Sequence, residues 1–250
     1  MTDPEPGKNP WIQGLRPGGG FAVRSGSRWC GVLAAGVLAA VLALPGVAWA
    51  RTGSEKRDQA MRYLRLGQVQ FEQGKTLQAI EAIEKALSID SNLAEAHNYL
   101  GFIHLQQSEL KRAERAFRKA VRIDPYFTDA WNNLGLAYRE RGRHEKALEA
   151  FGQALNDKTY RTQEKIHFNI GHLHLARGDY AAAIRSFEDA LRFNPKYLRG
   201  ILGLGTAYEK SGRPELATRE LRRVVSLGPE SPEAAEARQL LAKLTKTAGP

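Results

Sequence analysis

The residue types richest in chemistry here are six histidines and one cysteine. Five of the histidines, His97, His104, His167, His172 and His174, fall in segments that read as helices. His97 and His104 are seven positions apart, as are His167 and His174. That is about 10.5 Å along a helix, too far to share one ion. His172 and His174 diverge to different sides. All five are read as partly buried packing residues. A lone Cys30 cannot form an intramolecular disulfide or a cysteine-rich metal site. Gly74-Lys75-Thr76 reads like the end of a phosphate-binding loop, but that loop needs a glycine where Val69 stands, and its context is helix–turn–helix. Gly200, Gly203 and Gly205 run in the order G-x-x-G-x-G with no strand before them. There is no G-x-S-x-G and no H-E-x-x-H. No catalytic residue, cofactor or metal site is expected, and the chain does not read as an enzyme.

The elements that would position any site begin with the N-terminal fifty residues. Residues 1–28 are rich in Gly, Pro and Ser, without an apolar period, and read as disordered. Arg16, Arg24 and Arg28 lead into an uncharged run, Trp29 to Ala50, of a length that can span a bilayer. Its apolar core, Val32 to Leu44, is broken by Pro45-Gly46. Ala48 and Ala50 then place small residues before Arg51, as a signal peptidase requires. Two readings stand: a signal peptide cleaved after Ala50, or an uncleaved inner-membrane anchor over 29–50. Either one puts residues 51–250 in the periplasm or at an envelope membrane. Cys30 precedes the apolar core, so it is no lipid-attachment cysteine. The chain carries 37 Lys and Arg against 27 Asp and Glu, a net charge of +10. Two of those charges lie in the first fifty residues, leaving +8 beyond.

The strongest signal is a repeat. Leu/Ile-Gly pairs recur at Gly67, Gly101, Gly135, Gly171 and Gly205, with spacings of 34, 34, 36 and 34. Twelve residues after each glycine stands an alanine: Ala79, Ala113, Ala147, Ala183, Ala217. Sixteen after it comes Ile83, Phe117, Phe151, Phe187 or Leu221. Nineteen after it comes Ala86, Ala120, Ala154, Ala190 or Val224. The third copy, WNNLGLAYRERGRHEKALEAFGQAL, is the fullest. On these residues the sequence resembles the tetratricopeptide repeat family. The resemblance implies an all-α fold, an α-solenoid of five helix–turn–helix repeats, each a helix A and a helix B, over 60–93, 94–127, 128–161, 164–197 and 198–231. The small residues allow the helices to cross closely. Gly74, Gly142, Gly178 and Gly212 end helix A in a left-handed turn, and Pro125, Pro195 and Pro229 end helix B. Ser231 and Pro232 open a capping helix, 232–244. Residues 51–59 read as a linker and 245–250 as a tail.

In this family the A helices line a groove that holds a segment of another protein. Carried over position by position, the resemblance places Leu64, Asn98, Asn132, Phe168 and Leu202 at one level. Gln68, Phe102, Leu136, His172 and Thr206 form the next, and Phe71, Leu105, Arg139, Leu175 and Glu209 the third. The groove is expected to be largely apolar, with Asn98 and Asn132 pairing a peptide backbone. The plainer reading has Phe71, Phe102 and Phe168 simply packing between helices. If the groove reading holds, replacing Phe102 and Phe168 by Ser should weaken binding more than folding. Leu64 stands where a chaperone-tail clamp wants Lys, which disfavours that subtype. Lys111, Arg115, Arg118, Lys119 and Arg122 line one face of a B helix. The plain reading is a solvated face, the sharper one an anionic envelope surface or an acidic protein. Nucleic acid is not expected, given export and no interleaved aromatics.

Two extra residues separate the third and fourth copies, in ALNDKTYRTQEKIHFNIGHLHLARGDY. This enlarged junction, with its Tyr-x-Thr-x-Glu run, resembles the type IV pilus biogenesis pilotins of the PilF/PilW/Tgl type. That resemblance implies a scaffold that binds the secretin and supports its assembly. The pilotins are lipoproteins, and this chain departs from them in having no lipobox. The reading is a non-enzymatic envelope scaffold for pilus or secretin assembly. The alternatives are a general envelope adaptor, for example for peptidoglycan enzymes, or a cytoplasmic chaperone-like module if the N-terminus is misread.

Overall fold

Alanine, Leu, Glu, Lys and Arg dominate the segments between the turn glycines, and these are strong helix formers. The computed structural model describes residues 45–247, and the regular structure among them is eleven α-helices with no strand. They are α1 (Pro45–Glu72), α2 (Thr76–Ile89), α3 (Ala94–Gln106), α4 (Leu110–Ile123), α5 (Thr128–Glu140), α6 (His144–Ala154), α7 (Gln163–Arg177), α8 (Tyr180–Phe193), α9 (Leu198–Lys210), α10 (Pro214–Leu227) and α11 (Pro232–Thr247). The odd-numbered helices α1 to α9 are the A helices and the even-numbered ones the B helices. The fold class is the all-α, helix–turn–helix repeat expected. The apolar run lies outside the described residues except for 45–50, which open α1. No helix among the described residues is long and apolar enough to cross a membrane.

Within each repeat one contact recurs. A Cβ added at Gly101 would lie 2.7 Å from the Phe117 ring, at Gly135 2.5 Å from Phe151, and at Gly171 2.8 Å from Phe187. Gly67 meets Ile83 and Gly205 meets Leu221 in the same way. The residue sixteen positions on thus fills the space that the glycine leaves at the crossing of A and B. The three phenylalanines are fully buried.

The A–B turn also repeats. Gly74, Gly142, Gly178 and Gly212 have φ of 76°, 69°, 81° and 74°, and Ser108 takes the same place at 59°. One residue later the amide bonds back five positions: Lys75 to Gln70, Glu109 to His104, Arg143 to Tyr138, Asp179 to His174 and Arg213 to Tyr208, at 2.8–2.9 Å. This satisfies a carbonyl that the helix end would otherwise orphan.

Four B–A junctions are four residues long, and the fifth, 155–162, is eight. It follows a shortened B helix, α6, of 11 residues against 14 in the others. The Asp157 carboxylate accepts from the Thr159 amide (2.9 Å) and hydroxyl (2.7 Å), and Gln163 Nε2 donates to the Lys158 carbonyl (2.9 Å). The two-residue insertion is therefore an ordered turn.

The segment 51–59, expected as a linker, is instead part of α1. It contains no proline, and Arg57 ties it down. Arg57 Nη2 lies 3.1 Å from Glu95 Oε1, and Nη1 lies 3.9 Å from Asp90 Oδ2. Pro45 is the first residue of the helix, where its missing N–H costs nothing. The capping helix begins where expected: Ser231 Oγ accepts from the Ala234 amide at 3.1 Å. It runs to Thr247, three residues past the expected end.

Contacts divide the chain into two compact units, to Asn133 and from Leu134. In the first, Leu64, Ile83, Leu93, Tyr99 and Ile103 form the centre of the core. In the second, Phe168, Phe187, Leu204 and Tyr208 form one cluster, and Ile201, Leu221, Val224, Ala234 and Ala237 another, which α11 closes.

Candidate partner-binding surface

The first of the three levels is core. Leu64, Asn98, Asn132, Phe168 and Leu202 are all buried. Asn98 Oδ1 accepts from Asn133 Nδ2 at 3.0 Å, so its carbonyl is engaged by a neighbour rather than open to a peptide. Phe168 sits among Phe187, Tyr197 and His172, with ring centroids 5.6–5.9 Å apart. At the next levels Phe102, Leu136 and Leu105 are buried, while Gln68, Phe71, His172, Leu175, Thr206, Arg139 and Glu209 are half-buried. Phe71 packs edge-on against Tyr99 and Phe102 at 6.1 and 5.7 Å.

Much of the expected apolar lining is therefore buried in this structure. Most large apolar side chains at these levels fill the space between helices. In the first unit Gln68 and Phe71 keep access. In the second, the accessible set is mostly polar. Arg139 Nη2 donates to Glu140 Oε1 at 2.8 Å, and Lys243 of the capping helix reaches Glu209 at 2.9 Å. His172 lies beside Arg139 and Glu140. Burial, then the Arg139 charge, push its pKa down to about 4, so the ring is neutral at pH 7. Glu140 and Lys243 were not legible as groove residues. Glu140 falls outside the carried-over positions, and Lys243 lies beyond the last repeat.

The histidines have the packing roles expected of them. His97 Nε2 lies 3.0 Å from the Ser91 carbonyl oxygen. That oxygen can only accept, so Nε2 carries the proton. Trp131, at the same repeat position, donates Nε1–H to the Pro125 carbonyl at 2.8 Å. Arg223 and Arg238 cap the corresponding carbonyls of Pro195 and Pro229 at 2.7 and 2.6 Å. Burial lowers the pKa of His97 and of His167, whose ring stacks on Phe193 at 5.4 Å. His104 Nδ1 is 2.7 Å from Glu109 Oε2. Among the described residues no group of His, Cys, Asp or Glu is placed to hold a metal ion.

Models of the tetratricopeptide repeat match residues 67–108, 94–127, 128–196 and 174–247. The chain is a tetratricopeptide repeat protein. Such proteins are generally non-catalytic binding scaffolds, and the matching models indicate no enzymatic family. A 74-residue stretch is 39% identical to the human tetratricopeptide repeat protein 13, but covers only 28% of this chain and spans 9% of that protein's length. Among solved structures, Pseudomonas aeruginosa PilF is 28% identical, with a TM-score of 0.63 over 75% of this chain and 90% of its own. PilW, described as a widely conserved type IV pilus biogenesis factor, has a TM-score of 0.71 at 22% identity, over 76% of this chain and 86% of its own. YrrB, described as having an unusual peptide-binding site, has a TM-score of 0.57 at 20% identity, over 77% and 98%. At these last two identities the likeness is one of fold.

Proposed function

We propose that this tetratricopeptide repeat protein is a cell-envelope scaffold for type IV pilus assembly, with a secretin or another pilus component as partner. The observation that carries the reading is the likeness to PilF, at 28% identity over nine-tenths of that chain. The eight-residue junction at 155–162 supports it, as the feature on which the pilotin resemblance rests. The sequence signal at 29–50 supports export, and in the absence of a lipobox an uncleaved segment there would supply the attachment. The partner contacts the half-buried side chains rather than the buried ones: Gln68 and Phe71 in the first unit, Arg139, His172 and Glu209 in the second.

Photo-crosslinking from Gln68 and from His172 in the full chain, in cells, tests this. Recovery of a secretin or pilus protein from either position is expected. A crosslinked set holding only peptidoglycan enzymes would replace the pilus reading with the adaptor reading. Fractionation tests location, and a full-length chain found only in the cytoplasm would overturn export.

A further inference from the structure

Helix α4 differs from the other B helices in its outer face. All six of its exposed positions are basic: Lys111, Arg112, Arg115, Arg118, Lys119 and Arg122. The exposed positions of α2, α6, α8 and α10 mix acidic, basic, polar and apolar residues. Lys111, Arg115, Arg118 and Arg122 follow i, i+4, i+7, i+11. They form a stripe about 16 Å long, which Arg112 and Lys119 widen to an arc of about 120°. Arg112 pairs with Glu109, and Arg118 lies at 4.0 Å from Glu114. Lys111, Arg115, Lys119 and Arg122 have no acidic partner among the described residues. Just beyond the helix Tyr126 is 91% exposed, at a tip where the other four-residue junctions carry Asn92, Lys196 and Glu230. Concentrated positive charge without counter-ions is costly unless an anionic surface meets it. The exposed positions of α4 include no apolar side chain, so the face is poorly suited to an amphipathic acidic helix, which would need an apolar groove. An aromatic ring with a polar tip beside a basic stripe is the composition that settles at the headgroup level of a bilayer.

We infer that the α4 face, with Tyr126 at its end, docks on the phosphate-bearing surface of an anionic bilayer. The inference does not use the pilus reading. The test is flotation of the full chain with vesicles of phosphatidylcholine alone or mixed with phosphatidylglycerol. Every variant carries the same segment 29–50, so the increment on adding phosphatidylglycerol is the readout. Each Lys or Arg near such a surface adds about fivefold. The quadruple variant Lys111→Glu, Arg115→Glu, Lys119→Glu, Arg122→Glu should lose the increment by about a hundredfold or more. A control with the same net charge, Arg185→Glu, Lys210→Glu, Arg213→Glu, Arg222→Glu, should keep most of it. Tyr126→Ala should lower the increment without changing its salt dependence. Circular dichroism checks that each variant is folded. Equal binding by the two quadruple variants would overturn the inference. So would retention of duplex DNA or polyglutamate, through the α4 face, by a chain that ignores the anionic vesicles.

Discussion

At the scale of single residues, one turn position and one histidine set measurable terms. Ser108 sits at φ 59°, where the four other repeats place glycine. A side chain there costs about 1–2 kcal/mol, partly offset by the entropy a glycine loses on folding. Ser108→Gly should therefore raise the stability of the chain by up to about 1 kcal/mol in urea unfolding. His172 works through protons. Its pKa is about 4 in the folded chain, below the ordinary value of 6.5, so the unfolded chain binds the proton first as pH falls. Its contribution is full at pH 7, declines below 6.5 and is gone below 4. Between pH 7 and pH 4.5 the loss is on the order of 2–3 kcal/mol. His172→Gln should flatten that part of the pH dependence of unfolding. An unchanged slope would mean that the ring is not held neutral. Neither term is legible from repeat alignment, which ranks Ser108 as a mere departure and His172 as one groove position among fifteen.

At the scale of elements, the A–B crossing is where small residues matter. Gly135→Leu would drive its side chain into the Phe151 ring, and overpacking of this kind typically costs about 1–3 kcal/mol, read as a lower melting temperature. The crossing glycines and their partners sixteen residues on were legible, because the spacing alone puts them at the contact. The groove was less so. A helix position says which side of α3 or α7 a residue faces, but not whether its neighbours leave it open. Phe168 is ringed by Phe187, Tyr197 and His172, so Phe168→Ser should cost about 3–5 kcal/mol of stability before any effect on binding. Loss of helicity at lower urea is the check. Leu66 and Val69 on α1 are exposed, whereas Leu134 and Leu204, and Ile103, Leu173 and Ala207, at the same two repeat positions, are buried. No helix precedes α1 among the described residues to cover them.

At the scale of the whole chain, the net charge of +10 resolves into unequal parts. Helix α4 alone carries six basic residues against one acidic, Glu114, which is buried. Elsewhere basic and acidic residues are interspersed, and some pair between helices, as in Arg57 with Glu95, Arg199 with Glu233 and Lys243 with Glu209. The export reading makes its own prediction at this scale. N-terminal sequencing of the chain recovered from the envelope should begin at Arg51 if the signal is cleaved after Ala50. An intact N-terminus in the membrane fraction would identify the anchor instead. Helix α1 runs through position 50, so a cleaved chain would begin inside that helix, six residues ahead of Arg57 and its tie to Glu95.

The sequence by itself determined the repeat, its period, the residues at each crossing and at four of the five turns, and the cap at Ser231. These are local or near-local contacts, and a 34-residue spacing writes them directly into the chain. Only the tertiary structure decided which of those residues stay accessible. Burial is a property of what packs on a residue from the next helix. Asn98 is spoken for by Asn133, Phe102 and Phe168 are core, and Arg139, His172 and Glu209 are left half-open for the same reason.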